Sequence, residues 1–204
     1  MTIARQTIEA FVCPADIVPG EITVTVTGSC QSVGGVPVRV ISYGACIGSR
    51  HPGYVEGDGI FYWWSAISPK SILDGTANTM MAGETAQKNQ LTPTLYTWWN
   101  FTGFLNFAGQ TWVPTWGSTL SRLNAPIDKT DPMPPPAFDP TPADFARFEN
   151  AGQFGFRSFH TNGGHFLMAD GTVKYLAQDV DIGVYRALST RNKQEQVSNI
   201  ESGF

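Results

Sequence analysis

Two histidines near the carboxyl-terminal end, His160 and His165, flank the run Thr-Asn-Gly-Gly. With Asn162-Gly163 as a two-residue type I′ turn, or with all four residues as the loop, the two imidazoles become cross-strand partners whose Cβ atoms stand about 4.5 to 5.5 Å apart. Both rings could then reach one metal ion. Two ligands are fewer than the three protein ligands of a catalytic zinc site, and Asp170, an odd number of residues from His165, falls on the opposite face of an uninterrupted strand. The expectation is therefore a hairpin with polar cross-strand pairing, with His160 and His165 as weak metal candidates and no cofactor.

Other arrangements carry less chemistry. The two Asp-Gly-Thr phrases, at Asp74 and Asp170, invite a calcium reading, but neither has the alternating carboxylates of a calcium loop. Asp at the head of a turn, accepting hydrogen bonds from residues just beyond it, accounts for both. No G-x-S-x-G nucleophile elbow occurs. Cys46 and His51 are surrounded by Gly48, Pro52 and Gly53, which suggests a loop, and no feature there lowers the thiol pKa. Glu56, Asp58 and Glu84 read as scattered carboxylates without the context of a glycosidase pair. The chain is expected not to be an enzyme.

The cysteines, Cys13, Cys30 and Cys46, are an odd set of three with no C-x-x-C spacing. One disulfide among them, or three buried thiols acting as small apolar residues, fits equally well. Trp98, Trp99, Trp112 and Trp116 are four of the six tryptophans, set among Thr, Asn and Gly. Such residues form a core or subunit contact, or a platform for sugar rings. Asn100 opens an Asn-Phe-Thr glycosylation sequon.

The bulk composition frames these residues. Within 204 residues there is room for one well-buried core, so one domain, 1–204, is expected. Charged residues are 15% of the chain, below the roughly 25% of ordinary soluble proteins. A net charge of −4 without a Lys/Arg cluster argues against nucleic acid as a partner. No stretch approaches the apolar length of a membrane span, and the opening MTIARQTIEAFVCPAD lacks the apolar centre of a signal peptide.

The elements that must position the candidates follow from periodicity. Ile3, Ala4, Ile8 and Phe11 make a short helical stripe stopped by Pro14. Ile22, Val24 and Val26 alternate with threonines as a half-buried strand, Gly34-Gly35 turns the chain, and Val36, Val38 and Val40 return as its hairpin partner with Pro37 at an edge. Residues 57–84 parse as a turn, an aromatic strand, a short helix opened by Ser68-Pro69, an Asp-Gly turn and a strand from Thr79. The Trp-rich segment 91–116 supplies one or two strands, and the Pro-rich segment 124–142 is a surface loop inserted in the domain. Thr141-Pro142-Ala-Asp144 opens a helix through about Asn150. From Phe154 the pattern reads strand, tight turn, strand, Asp-Gly turn, strand, then an amphipathic helix turning Val184, Tyr185 and Leu188 to the core. The fold class is α+β, mainly antiparallel β.

Three ordered phrases resemble domain-of-unknown-function family 1559. The first is Cys13-Pro14-Ala15-Asp16, and the second runs from Asp74-Gly75-Thr76-Ala77-Asn78-Thr79 to Gly83-Glu84. The third holds Ser158, His160, Gly163, Phe166, Ala169-Asp170-Gly171-Thr172-Val173 and Tyr185-Arg186-Ala187-Leu188-Ser189-Thr190-Arg191. The chain departs from the pattern at Thr161, where Pro is usual, at His165, where Asn is usual, and at Lys193-Gln194, where Gly-Gly is common.

That family comprises secreted, prepilin-like bacterial surface proteins. The resemblance implies a pilin-like globular head with a few short helices and a carboxyl-terminal hairpin followed by a helix. It also implies an extracellular or cell-surface location and a structural subunit of a filament, pilus-like appendage or surface assembly, with copies of itself as partners. The alternative is a surface-displayed module binding carbohydrate or protein through exposed aromatic residues. Members of the family carry a long apolar helix before the first phrase, whereas this sequence starts just upstream of Cys13, so assembly contacts are expected from the β-rich head.

Overall fold

The computed structural model describes residues 9–16, 21–27, 32–39, 42–50, 57–62, 64–85, 105–107, 110–112, 116–126, 142–149 and 155–193. Alternating β-branched residues form β1 (Glu21–Thr27), which pairs antiparallel with β2 (Ser32–Arg39) as a two-stranded sheet. The expected hairpin is present, but Gly34-Gly35 lies inside β2, and the register shifts between Val24 and Val26. A second small hairpin joins β5 (Leu105–Phe107) to β6 (Gln110–Trp112) within the Trp-rich segment.

The main sheet is built from β3 (Tyr43–Cys46), β4 (Met80–Glu84), β7 (Trp116–Gly117), β8 (Gly163–Met168) and β9 (Val173–Ala177), in the order β7-β3-β4-β8-β9. All neighbours are antiparallel except β3 and β7, so the mainly antiparallel α+β expectation holds. The β8–β9 turn is the second Asp-Gly-Thr phrase. Asp170 Oδ1 accepts from Thr172 N at 2.9 Å and Thr172 Oγ1 at 2.7 Å, and Gly171 takes φ 89°, which only glycine adopts freely. These hydrogen bonds hold the Asp170 carboxyl below its ordinary range.

Two helices complete the described framework. α1 (Pro142–Glu149) begins at the expected Pro142 and buries Phe148. α2 (Ile182–Ala187) is capped by Asp181, whose carboxylate accepts from Gly183 N and Val184 N. It delivers Tyr185 and Leu188 into the core, as its periodicity requires.

That core is Cys46, Met80, Leu123, Phe156, Phe166, Met168, Leu176, Tyr185 and Leu188. Phe166 stands edge-on to Phe156 at 5.2 Å and to Tyr185 at 5.9 Å. The rings lie against bare backbone on β4, where a Cβ added to Gly83 would come within 2.5 Å of Phe166 and 2.8 Å of Phe156.

Two local expectations are corrected. Residues 57–62 and 64 do not form an aromatic strand: Gly57 and Gly59 pack directly on the Ile47 carbonyl, and Trp64 sits in the left-handed region at φ 61°. Nor do residues 155–159 make a hairpin with β8. Gly155 and Arg157 instead form isolated parallel bridges to Ser118 and Thr85, while β8 takes β4 and β9 as its antiparallel partners. Of the stripe Ile3–Phe11, only Glu9–Phe11 is described, as one turn of 3-10 helix; Cys30, His51, Glu56, Trp98, Trp99 and Asn100 also lie outside the described residues.

Because Phe156 is fully buried between two glycine-bearing strands and Phe166, Phe156→Ala will lower the unfolding free energy by about 3 to 5 kcal/mol. Val173→Thr, on the exposed face of β9, will change it by less than about 0.5 kcal/mol. Urea denaturation of both variants checks this, and equal losses would contradict the assignment of the core.

Candidate functional site

Each of the three phrases contributes one side chain to a single cluster, built around the end of β4. Glu84, the last residue of that strand, is 2% exposed. Its backbone is fixed on both sides, by pairing with Tyr43 of β3 and by accepting from Arg157 N at 2.8 Å. Its Oε1 lies 3.3 Å from His160 Nε2, 3.2 Å from His165 Nδ1 and 4.0 Å from Cys13 Sγ. Cys13 Sγ is itself 3.4 Å from His160 Nε2.

Local chemistry explains how three distant segments meet. Cys13-Pro14-Ala15-Asp16 closes on itself through Asp16 N to Cys13 O, and is pinned to the chain before β3 by Ser42 N to Phe11 O and Ser42 Oγ to Asp16 Oδ2. His160 sits in a bend in which Ser158 Oγ accepts from His160 N and Asn162 adopts φ 63°. The bend is held against the sheet by Tyr175, whose hydroxyl donates to Thr161 O at 2.5 Å. Tyr175 is also the cross-strand partner of His165.

The two histidines are therefore brought together, with ring centroids 4.6 Å apart, but not as cross-strand partners. His160 precedes the strand and His165 lies in it. Glu84, read from the sequence as a scattered carboxylate, and Cys13, read as a disulfide or core thiol, add two donors to the pair. The signal that could have found them is that each phrase contains residues able to ligate a metal.

Thiol, imidazole and carboxylate side by side also suggest nucleophilic catalysis. In that arrangement the acid orients the base through the ring nitrogen opposite the one that meets the nucleophile. Here the sulfur and the carboxylate both approach His160 Nε2. The atoms converge on a point rather than forming a relay, as ligands around a metal do.

The remaining described candidates lie outside this cluster. Cys46 is a free, fully buried thiol in the core, whereas Cys13 is a free, buried thiol in the cluster. Trp116 is half-buried in β7, and Trp112 lies in β6. Asp74 accepts from Lys193 N at 3.2 Å, tying the second phrase to the end of the third. Buried Asp58 accepts from Ser49 N and Oγ and pairs with Lys193 Nζ at 2.9 Å. Arg191 donates to the carbonyls of Gly57 and Gly59 while its guanidinium lies over the Tyr62 ring.

Compared with known proteins, residues 2–183 match the family model described as a protein of unknown function, DUF1559. No curated protein and no solved structure matches the chain.

Burial pushes the Cys46 thiol from an ordinary 9.0 up to about 12. A folded-state pKa above the unfolded one contributes stability that is complete below about pH 9 and is lost as pH rises toward 12. Urea midpoints measured between about pH 8 and pH 11 will fall, with Cys46 contributing up to about 1.4 kcal/mol per pH unit. The slope will be shallower in Cys46→Ala; identical slopes would contradict the buried neutral thiol.

Proposed function

The chain belongs to the DUF1559 family, and on that premise we propose that it is a non-enzymatic structural subunit of an extracellular or cell-surface assembly, built from copies of itself. The observation that carries this reading is the exposure of large apolar side chains on a weakly charged head. Trp64 is 90% exposed and Val173 63%, with Leu73 also exposed. Tryptophan is the residue type most enriched among energetic anchors of protein interfaces.

The sheet geometry supports the same reading. β9 is an edge strand of the described sheet, and Val173 and Tyr175 alternate on its exposed face. An edge strand offers backbone donors and acceptors to a neighbouring chain. Aspartates and arginines of the family phrases, by contrast, tie loop to loop inside one subunit, as Arg191 does with Gly57 and Gly59. A head stiffened in this way keeps its contact surfaces in register without a large charged exterior.

Sedimentation velocity over a wide concentration range, with negative-stain micrographs of the same samples, tests the proposal. Higher-order assemblies that weaken at least tenfold in Trp64→Ser are expected. Monodisperse monomers under all conditions would overturn it. Glycan binding lost on changing Trp98 and Trp99 to Ala, without assembly, would point instead to a carbohydrate-binding module.

A further inference from the structure

We propose that Cys13, Glu84 and His160 bind a zinc ion, with His165 beside the carboxylate as a supporting residue. A tetrahedral zinc site has metal–nitrogen and metal–oxygen bonds of about 2.0 to 2.1 Å and a metal–sulfur bond of about 2.3 Å, which separates nitrogen from oxygen by about 3.3 Å and sulfur from either by about 3.6 Å. The corresponding separations here are 3.3 Å for His160 Nε2 to Glu84 Oε1, 3.4 Å for Cys13 Sγ to His160 Nε2, and 4.0 Å for Cys13 Sγ to Glu84 Oε1. The three donors already outline a tetrahedral face, and all their ligand atoms lie within 4.8 Å of one another. His165 Nδ1 adjoins the same Oε1 at 3.2 Å.

A second, independent observation points to a bound cation. Glu84 Oε2 is buried and has no hydrogen-bond partner, lying beside Gly164, where a Cβ would stand 3.3 Å from it. A buried carboxylate oxygen without a donor is costly, and native proteins rarely leave one so. A dication held by the Cys13 thiolate and the Glu84 carboxylate makes the cluster neutral overall, which offsets the cost of burying the carboxylate charge.

The ligand types select the ion. Calcium and magnesium take oxygen ligands, whereas one sulfur, one imidazole nitrogen and one carboxylate suit zinc. Support around the ligands is also present. Tyr175 both flanks the His165 ring at 5.2 Å and clasps the bend that bears His160. His160 and His165 are 34% and 41% exposed, so the ion enters from the imidazole side. Once bound, it joins the Cys13 segment to the sheet across sequence separations of 71 and 147 residues.

The test uses the full chain, stripped with chelator and titrated with zinc alone against a chromophoric competitor, and with cobalt as a spectroscopic probe. One equivalent of tight zinc and a thiolate-to-cobalt charge-transfer band are expected. Cys13→Ser will abolish the band, and His160→Ala, at a partly exposed position, will weaken zinc by more than the roughly 10- to 100-fold that loss of a supporting hydrogen bond costs. His165→Asn will weaken it at least tenfold. Near-ultraviolet circular dichroism confirms that each variant is folded. Substoichiometric zinc in the parent chain, or affinity unchanged in folded Cys13→Ser and His160→Ala, would overturn the site; unchanged affinity in His165→Asn would remove His165 from it.

Discussion

The pairing of β4 with β8 is the constraint on which the rest of the molecule depends. It places Gly83 opposite Phe166, so that an aromatic ring lies on bare backbone where any side chain would collide. From that contact the core spreads to Phe156, Tyr185 and the methionines of both strands. One residue further along β4 the same pairing brings Glu84 beside His165. A shift of one residue would turn Phe166 out of the core and His165 away from the carboxylate together, because strand side chains alternate faces. Packing and the polar cluster are thus set by one register.

Among the described residues, small hydroxyl side chains and a few arginines hold the loops around this register. Thr119 and Ser189 share a hydrogen bond of 2.6 Å in the interior, Thr79 Oγ1 donates to Gly75 O, and Arg186 donates to Leu120 O. Burial lowers the pKa of Arg186, with the Glu149 charge opposing that shift. The last two of these bonds satisfy backbone carbonyls that would otherwise lack those donors. They also explain how a chain with 15% charged residues maintains ordered loops.

Much of the scaffold was legible in the residues. Alternation over 21–27 marks β1, Pro142 opens α1, Asp170-Gly171-Thr172 makes its turn, and the stripe of Val184, Tyr185 and Leu188 faces the core, all because local periodicity and turn chemistry decide these features. The segment before β8 was misread because Asn162-Gly163 is a strong hairpin signal. Asn162 does take the left-handed conformation, but in a bend, and β9 supplies the partner strand. The cluster of Cys13, Glu84 and His160 was out of reach of local pattern. Its members are brought together by tertiary pairing, and two histidines alone were too few to define a site.

The central claim is that three sequence phrases meet at one metal-binding point on the β4–β8 framework. Anomalous diffraction at the zinc absorption edge, from crystals of chain grown with zinc, tests it most directly. A single strong peak bonded to Cys13 Sγ, Glu84 and His160 Nε2 is the predicted result. A density map with Cys13 turned away from Glu84 and no peak between them would contradict it.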